Sequence, residues 1–528
     1  MSRKSSFVLL TAYLLGCSGE VPSGDPDATS PADASSTGDA GGVDAAFHPD
    51  ASVPDSQQQD DADAEVVRDA SPGPSDSSWL KADAQSAADA TEHAGDAGSP
   101  FPDAAPYDPC PAGGLGGHLQ LVSAHWAASG AYGDHLGELA EAMSAGHVTP
   151  PYLGSLGATS PDVIVDVIWY LFTNRGELAP YLSDNLDRLQ RELAGRESRV
   201  RAFYVFDEPY LDVHATPRTV LEQGIAALKT RFPNIPAYIT FAHHCFDPAV
   251  SDSACAALAP GQRGIPANLD WASFDWYSTG TCGSTPATLE EQFDCHVRAG
   301  VTRLKALAPN LRLLVTGEGF DLFLPEPNAI EAIHRSFGLG LSEPQVLGVD
   351  YFLWASTPRF HGLSELPAAR ATVRAFGRQV LGACGRPPDS KIPVFEWSRS
   401  AVPDFDYRPW YWEGWESSGY SPAGVAFALP PTGTPGTSPL YSCTLERAGG
   451  VVDHGYLTRS GTCDGAQLLG APASIGGIFT SQAADTVPLY RSHYQSPPWD
   501  AHYSSSSTPP AGYVSDFQIG WVYPPDAL

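Results

Sequence analysis

The sequence predicts an α/β chain: a (β/α)8, or TIM, barrel, then a smaller all-β domain of three repeats, both behind a disordered acidic N-terminal linker. Three observations carry this. Short apolar runs of strand texture alternate with amphipathic segments between Cys110 and Cys384. The alternation gives eight strands over roughly 270 residues, the length and period of such a barrel. Beyond about Lys391 helical periodicity stops, and Tyr, Trp, Gly, Ser and Pro dominate. A doubly wound open sheet is the alternative that the same alternation allows.

The expected strands are 118–125, a weaker one near 151–156, then 164–172, 200–206, 237–242, 271–276, 311–316 and 348–354. Between them, segments 135–145, 181–194, 217–231, 289–308, 328–337 and 366–381 repeat apolar residues at intervals of three and four, the helical period. Ser183 and Thr216-Pro217 supply helix-start chemistry, a cap residue and a first-turn proline. The barrel domain is expected over 109–386.

Residues 1–17 read as a targeting segment. Arg3 and Lys4 precede an apolar run, Phe7 to Leu15, too short to span a bilayer. Leu14-Leu15-Gly16-Cys17 resembles the bacterial lipoprotein signal, which implies cleavage before Cys17 and lipidation of its thiol. By the same resemblance, Ser18 directs an exported lipoprotein to the outer membrane or cell surface, held by its lipid anchor alone. An ordinary secretory signal with an incidental cysteine is the plainer reading.

Residues 18–108 form the linker. They carry 20 acidic and 2 basic side chains, which is −18 of the formal −31. With little apolar surface to offset ordering, the segment is expected to stay extended and solvated. The acidity therefore belongs to a stalk and says little about a site. The chain has no basic stripe, which argues against nucleic acid as a partner; a monomer is expected.

Eight cysteines remain once Cys17 is set aside, an even number that reads as disulfides in an exported chain. Spacing suggests Cys245–Cys255, Cys282–Cys295 and Cys443–Cys463 as local staples. Cys110–Cys384 then ties the ends of the barrel, where a closed barrel brings its first strand and last helix together.

In 391–528 three units recur at roughly 45 residues. They open on Pro393-Val-Phe-Glu-Trp, Pro439-Leu-Tyr-Ser-Cys and Pro488-Leu-Tyr-Arg-Ser. Inside them follow Asp406-Tyr407, Asp453-His-Gly-Tyr456 and Asp500-Ala-His-Tyr503. Units this small bury no core singly, so they are expected to close around a shared axis. The pattern resembles the tyrosine-rich three-repeat β-domain appended to bacterial secreted hydrolases, a carbohydrate-binding module in one reading. The repeated Asp and Tyr then serve as structural turns and core rings, or else as exposed rings for sugar.

In a barrel, function collects at the C-terminal ends of the strands. His125 and Trp126 fall there after the first strand, Asn174 and Arg175 after the third, and Asp207 and Glu208 after the fourth. His243 and His244 follow the fifth, Asp275, Trp276 and Tyr277 the sixth, Glu318 the seventh, and Trp354 the eighth. Two carboxylates of opposite protonation are what cleavage of a glycosidic bond requires.

Asp207-Glu208-Pro209, Glu318, Trp354 and Tyr277 together resemble the retaining glycoside hydrolases of clan A. That resemblance implies Glu208 as acid/base, Glu318 as nucleophile, and Trp354 and Tyr277 lining the sugar subsite. The other mouth residues then stack on sugar faces or bind hydroxyls or a substrate carboxylate. Asp207 stands where the family has asparagine; ionised, it accepts but cannot donate, and its charge raises the pKa of the pair as a unit. This suits a general acid. It is equally compatible with Asp207 taking the catalytic role, or with an unusual sugar 2-position.

His243-His244 makes a poor zinc signal, because strand neighbours point apart and no third ligand follows at metal spacing. No metal or other cofactor is expected. No serine elbow, phosphate loop or His-Glu-x-x-His accompanies the acids. Two functions remain: a cell-surface glycosidase with a carbohydrate substrate, or a non-catalytic glycan-binding or adhesive lipoprotein with a degenerate barrel.

Overall fold

The computed structural model describes residues 110 and 113–528, except 130–132, 141, 250–251, 276–287, 321–324, 358–360, 386–390, 400–403, 448–450 and 496–499. The signal segment, Cys17, the linker, Trp276, Tyr277 and Cys282 lie outside the described residues.

Ten strands build one sheet: β1 (Leu121–Ala124), β2 (Ala128–Ser129), β3 (Gly133–Asp134), β4 (Ala145–Val148), β5 (Asp162–Asp166), β6 (Val200–Asp207), β7 (Ala237–Ala242), β8 (Trp271–Asp275), β9 (Arg312–Glu318) and β10 (Val346–Phe352). Their spatial order is β1-β10-β9-β8-β7-β6-β5-β4-β2-β3, and every pairing is parallel except β2 with β3. The sheet curls until β1 meets the residue that precedes β4. The Ser144 N–H donates to the Val122 carbonyl at 3.1 Å, and the Val122 N–H donates to Ser144 Oγ at 2.6 Å.

Among the described residues, eight α-helices accompany the strands: α1 (Leu136–Leu139), α2 (Ile168–Leu171), α3 (Leu182–Leu193), α4 (Arg218–Arg231), α5 (Leu289–Phe293), α6 (Ala299–Leu307), α7 (Glu326–Ser342) and α8 (Pro367–Ala383). Helix α3 buries Leu186, Leu189 and Leu193, the three-and-four spacing read from the sequence. These leucines join the core that covers one face of the sheet, where Val163, Val165, Phe203, Val205, Ile239, Phe241, Leu313 and Val315 are buried. Burying each such side chain contributes roughly 1.5–3 kcal/mol.

The opposite, inner face changes along the strands. Leu121, Ala145, Ile164, Ala202 and Leu314 form an apolar floor. Two residues on, by strand alternation, stand Ser123, His147, Asp166, Tyr204 and Thr316. A polar layer, with Asp350 in register with Ser123 and Thr316, therefore sits above the apolar floor.

Two expected strands need correction. The second is not 151–156 but β4. Pro150 and Pro151 lack the N–H a ladder needs, and Pro150–Ser155 instead forms a 3₁₀ turn. The segment 135–145 is helical only over α1, and its last residue opens β4. Gly146 is required there, since a Cβ would lie 2.8 Å from Ala127 Cβ and Leu139 Cδ1. The run 164–172 also splits, because Asp166 Oδ1 accepts the Ile168 N–H at 3.0 Å and starts α2.

From Ile392 onward the chain forms three antiparallel units of one strand order. The first contains β11 (Ile392–Arg399), β12 (Asp404–Pro409) and β13 (Ser421–Leu429), ordered β12-β11-β13. The second contains β14 (Thr437–Arg447), β15 (Val451–Thr458) and β16 (Ala473–Phe479), ordered β15-β14-β16. The third contains β17 (Val487–Tyr494), β18 (Ala501–Ser504) and β19 (Tyr513–Val522), ordered β18-β17-β19.

Tyr407 and Tyr503 are buried and bind backbone across units. Tyr503 OH donates to the Leu457 carbonyl at 2.9 Å, and Tyr407 OH accepts the Tyr503 N–H at 3.1 Å. The repeated tyrosines are thus core rings.

This β-region packs on α7. Arg335 Nη1 donates to Glu416 Oε1 at 2.9 Å, and His334 is enclosed by Phe376, Phe395, Trp397 and Tyr411. Cys110–Cys384, Cys245–Cys255 and Cys443–Cys463 are bonded as spacing suggested. The fourth expected pair includes Cys282, outside the described residues.

Candidate active site

Strand order brings the acids together. Asp166 ends β5, Asp207 ends β6 with Glu208 next, Asp275 ends β8 and Glu318 ends β9. All lie at the C-terminal ends of parallel strands, so they share one mouth. Register fixes two of them: Glu318 pairs with Phe352 of β10, and Asp207 pairs with Thr240 of β7.

Glu208 turns out of β6 with φ +47°, and its N–H donates to the Thr240 carbonyl at 2.8 Å. The turn carries its carboxyl inward, where only 5 % of the residue is exposed and Oε1 finds no hydrogen-bond partner among the described residues. Burial, with the charge of Asp207 adding, holds the Glu208 carboxyl well above the usual carboxylate range. Its environment thus favours the protonated form. Glu318 is also buried, at 2 % exposure.

Asp207 is oriented by Tyr204, whose OH donates to Oδ1 at 2.7 Å. Asp166, a residue the sequence reading missed, is pushed up to about 6 by burial, with the charge of Asp207 adding.

Beneath the acids lies a polar network. Asp350, on the inner face of β10, accepts Ser123 Oγ–H at 2.7 Å on Oδ1 and Tyr238 OH at 3.2 Å on Oδ2. His147 Nε2 reaches the same Oδ2 at 2.9 Å. Tyr238, Thr240 and Thr316 converge on Ser273 at 2.7, 2.9 and 2.9 Å. Burial opposes charge on His125, but Asp350 outweighs it and raises its pKa; the same residue is held well below the carboxylate range by the two histidines against its own burial.

The remaining expected residues divide. His125 is buried against Asp350, and Trp126 lies edge-on to Phe352 at 5.2 Å with φ +55°. His243 and His244 stand at the end of β7 with rings 4.7 Å apart, and His296 approaches His243 at 5.5 Å. Burial, then its histidine neighbours, push His243 down to about 3, so it is neutral.

Three expectations are corrected. Trp354 is fully buried and its indole N–H donates to Glu138 Oε2 at 2.9 Å, so its ring is a core element rather than a sugar-facing surface. Asn174 and Arg175 are exposed in the turn closed by the Thr173 N–H on the Glu177 carbonyl, beyond α2 and away from the strand end. Asp166 holds that strand end instead.

No protein-family profile and no curated protein matches the chain. Solved structures similar to part of it include an exo-β-1,3-glucanase of family GH128, subgroup VI, from Aureobasidium namibiae. That pair is 13% identical over 41% of this chain and 74% of the other, with a TM-score of 0.28. The endo-1,4-β-xylanase XylE of Penicillium canescens is 13% identical over 47% and 88%, with a TM-score of 0.30. Xylanase 10B of Thermotoga maritima is 12% identical over 48% and 86%, with a TM-score of 0.28. At 12–13% identity any functional reading of this chain rests on the site itself.

Proposed function

We propose that the chain is a glycoside hydrolase of clan A type, acting on an extracellular polysaccharide or oligosaccharide from a closed (β/α)8 barrel. One observation carries the reading. Two buried glutamates, Glu208 and Glu318, stand at strand ends at one mouth, and burial with the Asp207 charge raises the pKa of Glu208 well above the usual carboxylate range.

The mechanism is double displacement. Glu208 gives its proton to the glycosidic oxygen while Glu318 attacks the anomeric carbon, and the bond to the leaving group breaks. Glu208, now ionised, takes a proton from water, and that water releases the sugar from Glu318. Retention needs carboxyls about 5–5.5 Å apart, and inversion about 6.5–9.5 Å. The β-region is a glycan-binding module in this reading, and Cys17 anchors the enzyme at the cell surface by its lipid.

A second reading is a non-catalytic glycan-binding lipoprotein. The burial of Trp354, which leaves no tryptophan ring at that place for a sugar, favours it. A polysaccharide panel scored for both binding and new reducing ends separates the two. New reducing ends that vanish in Glu318→Gln support the hydrolase. Binding with no cleavage of any member favours the second reading.

A further inference from the structure

His125, His147 and Asp350 come from three strands and meet inside the curled sheet. His125 follows β1, His147 lies on β4, and Asp350 lies on β10. Strands β1 and β4 belong to opposite ends of the strand order, so the cluster spans the seam where the sheet returns on itself. Next to it, the ladder is reduced to the contacts between Ser144 and Val122.

The geometry is that of ligands facing a common centre. His125 Nε2 and His147 Nε2 lie 2.7 and 2.9 Å from Asp350 Oδ2, and the three ligand atoms fall within 4.8 Å of one another. The imidazoles stack at 3.8 Å with 21° between planes, so both rings present the same edge to the carboxylate. All three residues are buried, at 4%, 4% and 0% exposure. His147 points along a hydrogen bond to Oδ2, whereas His125 Nε2, equally close, lacks hydrogen-bond alignment to any described partner. Oδ2 already faces the Tyr238 hydroxyl, so a third well-formed donor has no lone pair left.

We propose that His125, His147 and Asp350 bind a divalent cation of the zinc class, which braces the seam between β1, β4 and β10. Zinc takes imidazole nitrogen at about 2.0–2.1 Å and carboxylate oxygen at about 2.0–2.2 Å, which sets tetrahedral ligand atoms about 3.3 Å apart. The present separations need to widen by only about half an ångström to meet that. Two imidazoles and one carboxylate suit zinc, cobalt or nickel; magnesium and calcium prefer all-oxygen shells. Ser123 on Oδ1 and Tyr238 on Oδ2 supply the outer hydrogen bonds that fix a ligating carboxylate. The fourth position belongs to water. The plain rival is a proton: His125 as an imidazolium paired with Asp350.

The test is titration calorimetry of the full-length protein with Zn²⁺ after chelator dialysis, together with Co²⁺ absorption and thermal melting. The expected result is one equivalent bound per chain, visible d–d absorption of nitrogen-and-oxygen-bound cobalt, and a melting temperature raised by Zn²⁺. His147→Gln, which preserves a neutral polar side chain, abolishes all three. His243→Gln, at the other histidine group, abolishes none. Binding that survives His147→Gln but is lost in His243→Gln overturns the proposal. So does chelator-treated protein that binds neither metal and melts unchanged, which leaves the imidazolium–carboxylate pair. If His147→Gln fails to fold, loss of the cobalt spectrum in Ser123→Ala, which removes the hydrogen bond to Asp350 Oδ1, or in Tyr238→Phe, which removes the one to Oδ2 together with that to Ser273, supports the site. An unchanged spectrum in both overturns it.

Discussion

The Glu208 N–H donates to the Thr240 carbonyl at 2.8 Å although Glu208 has already left β6 with φ +47°. The ladder to β7 therefore continues one residue past the strand while the side chain turns inward beside Asp207. This is how a carboxyl next to a charged neighbour comes to be buried without a partner for Oε1. The arrangement favours the protonated acid over the anion, because only the anion suffers both desolvation and like-charge repulsion.

The pH dependence of turnover follows. A general acid acts only while it holds its proton, so activity is present below the folded pKa of Glu208 and falls as pH rises through it. Asp207→Asn removes the neighbouring charge and lowers that pKa. The alkaline limb of kcat/KM should move to lower pH by about one unit. Glu208→Gln should lower kcat/KM by about 10²–10⁴-fold and remove the limb. A limb that stays in place in Asp207→Asn removes Asp207 as the source of the shift.

Much of this site was legible because strand alternation and apolar runs mark strand ends well. Val200 to Phe206 announces β6, and Leu311 to Thr316 announces β9, so Glu208 and Glu318 could be assigned to strand ends. What stayed hidden did so for local reasons. His147 sits in Ala-Gly-His-Val, too small and too weakly apolar to read as a strand, and it falls between the helical segment 135–145 and the strand expected near 151–156. Asp166 was passed over because the apolar residues after it continue the run, although the chain has already turned into α2. Asp350 carried a signal that could have been used: a charged residue amid Leu347, Val349, Tyr351 and Phe352 is rarely buried without a specific partner. Trp354 was misjudged because sequence order gives the end of a strand but not the side to which a ring turns.

The Cys110–Cys384 bond closes a loop with a sequence separation of 274 and joins the entry of the barrel region to the end of α8. A crosslink over so long a loop removes much freedom from the unfolded chain. Its loss, in Cys110→Ala/Cys384→Ala, should cost about 2–5 kcal/mol. Cys245–Cys255 spans a separation of only 10 and should matter less. Urea unfolding of the two double variants compares them directly; equal losses would show that native contacts, rather than loop length, set the difference.

His334 gives a second pH-dependent term, this time in stability. It lies on α7 inside a cage of Phe376, Phe395, Trp397 and Tyr411, and neither ring nitrogen has a hydrogen-bond partner among the described residues. Burial pushes it down from 6.5 to about 3, so the folded state holds it neutral. The unfolded chain takes up a proton near the ordinary histidine value, and the folded chain does not. The contribution is therefore complete above about pH 6.5 and is lost as pH falls toward 3, by up to about 1.4 kcal/mol per unit. His334→Phe keeps a ring in the cage, removes two unsatisfied nitrogens and cannot be protonated. The variant should match or exceed wild-type stability at pH 7. It should also lose less stability than wild type between pH 6.5 and pH 4.5. Urea unfolding of both proteins across that window measures the difference, and parallel curves would show that His334 is not the group responsible.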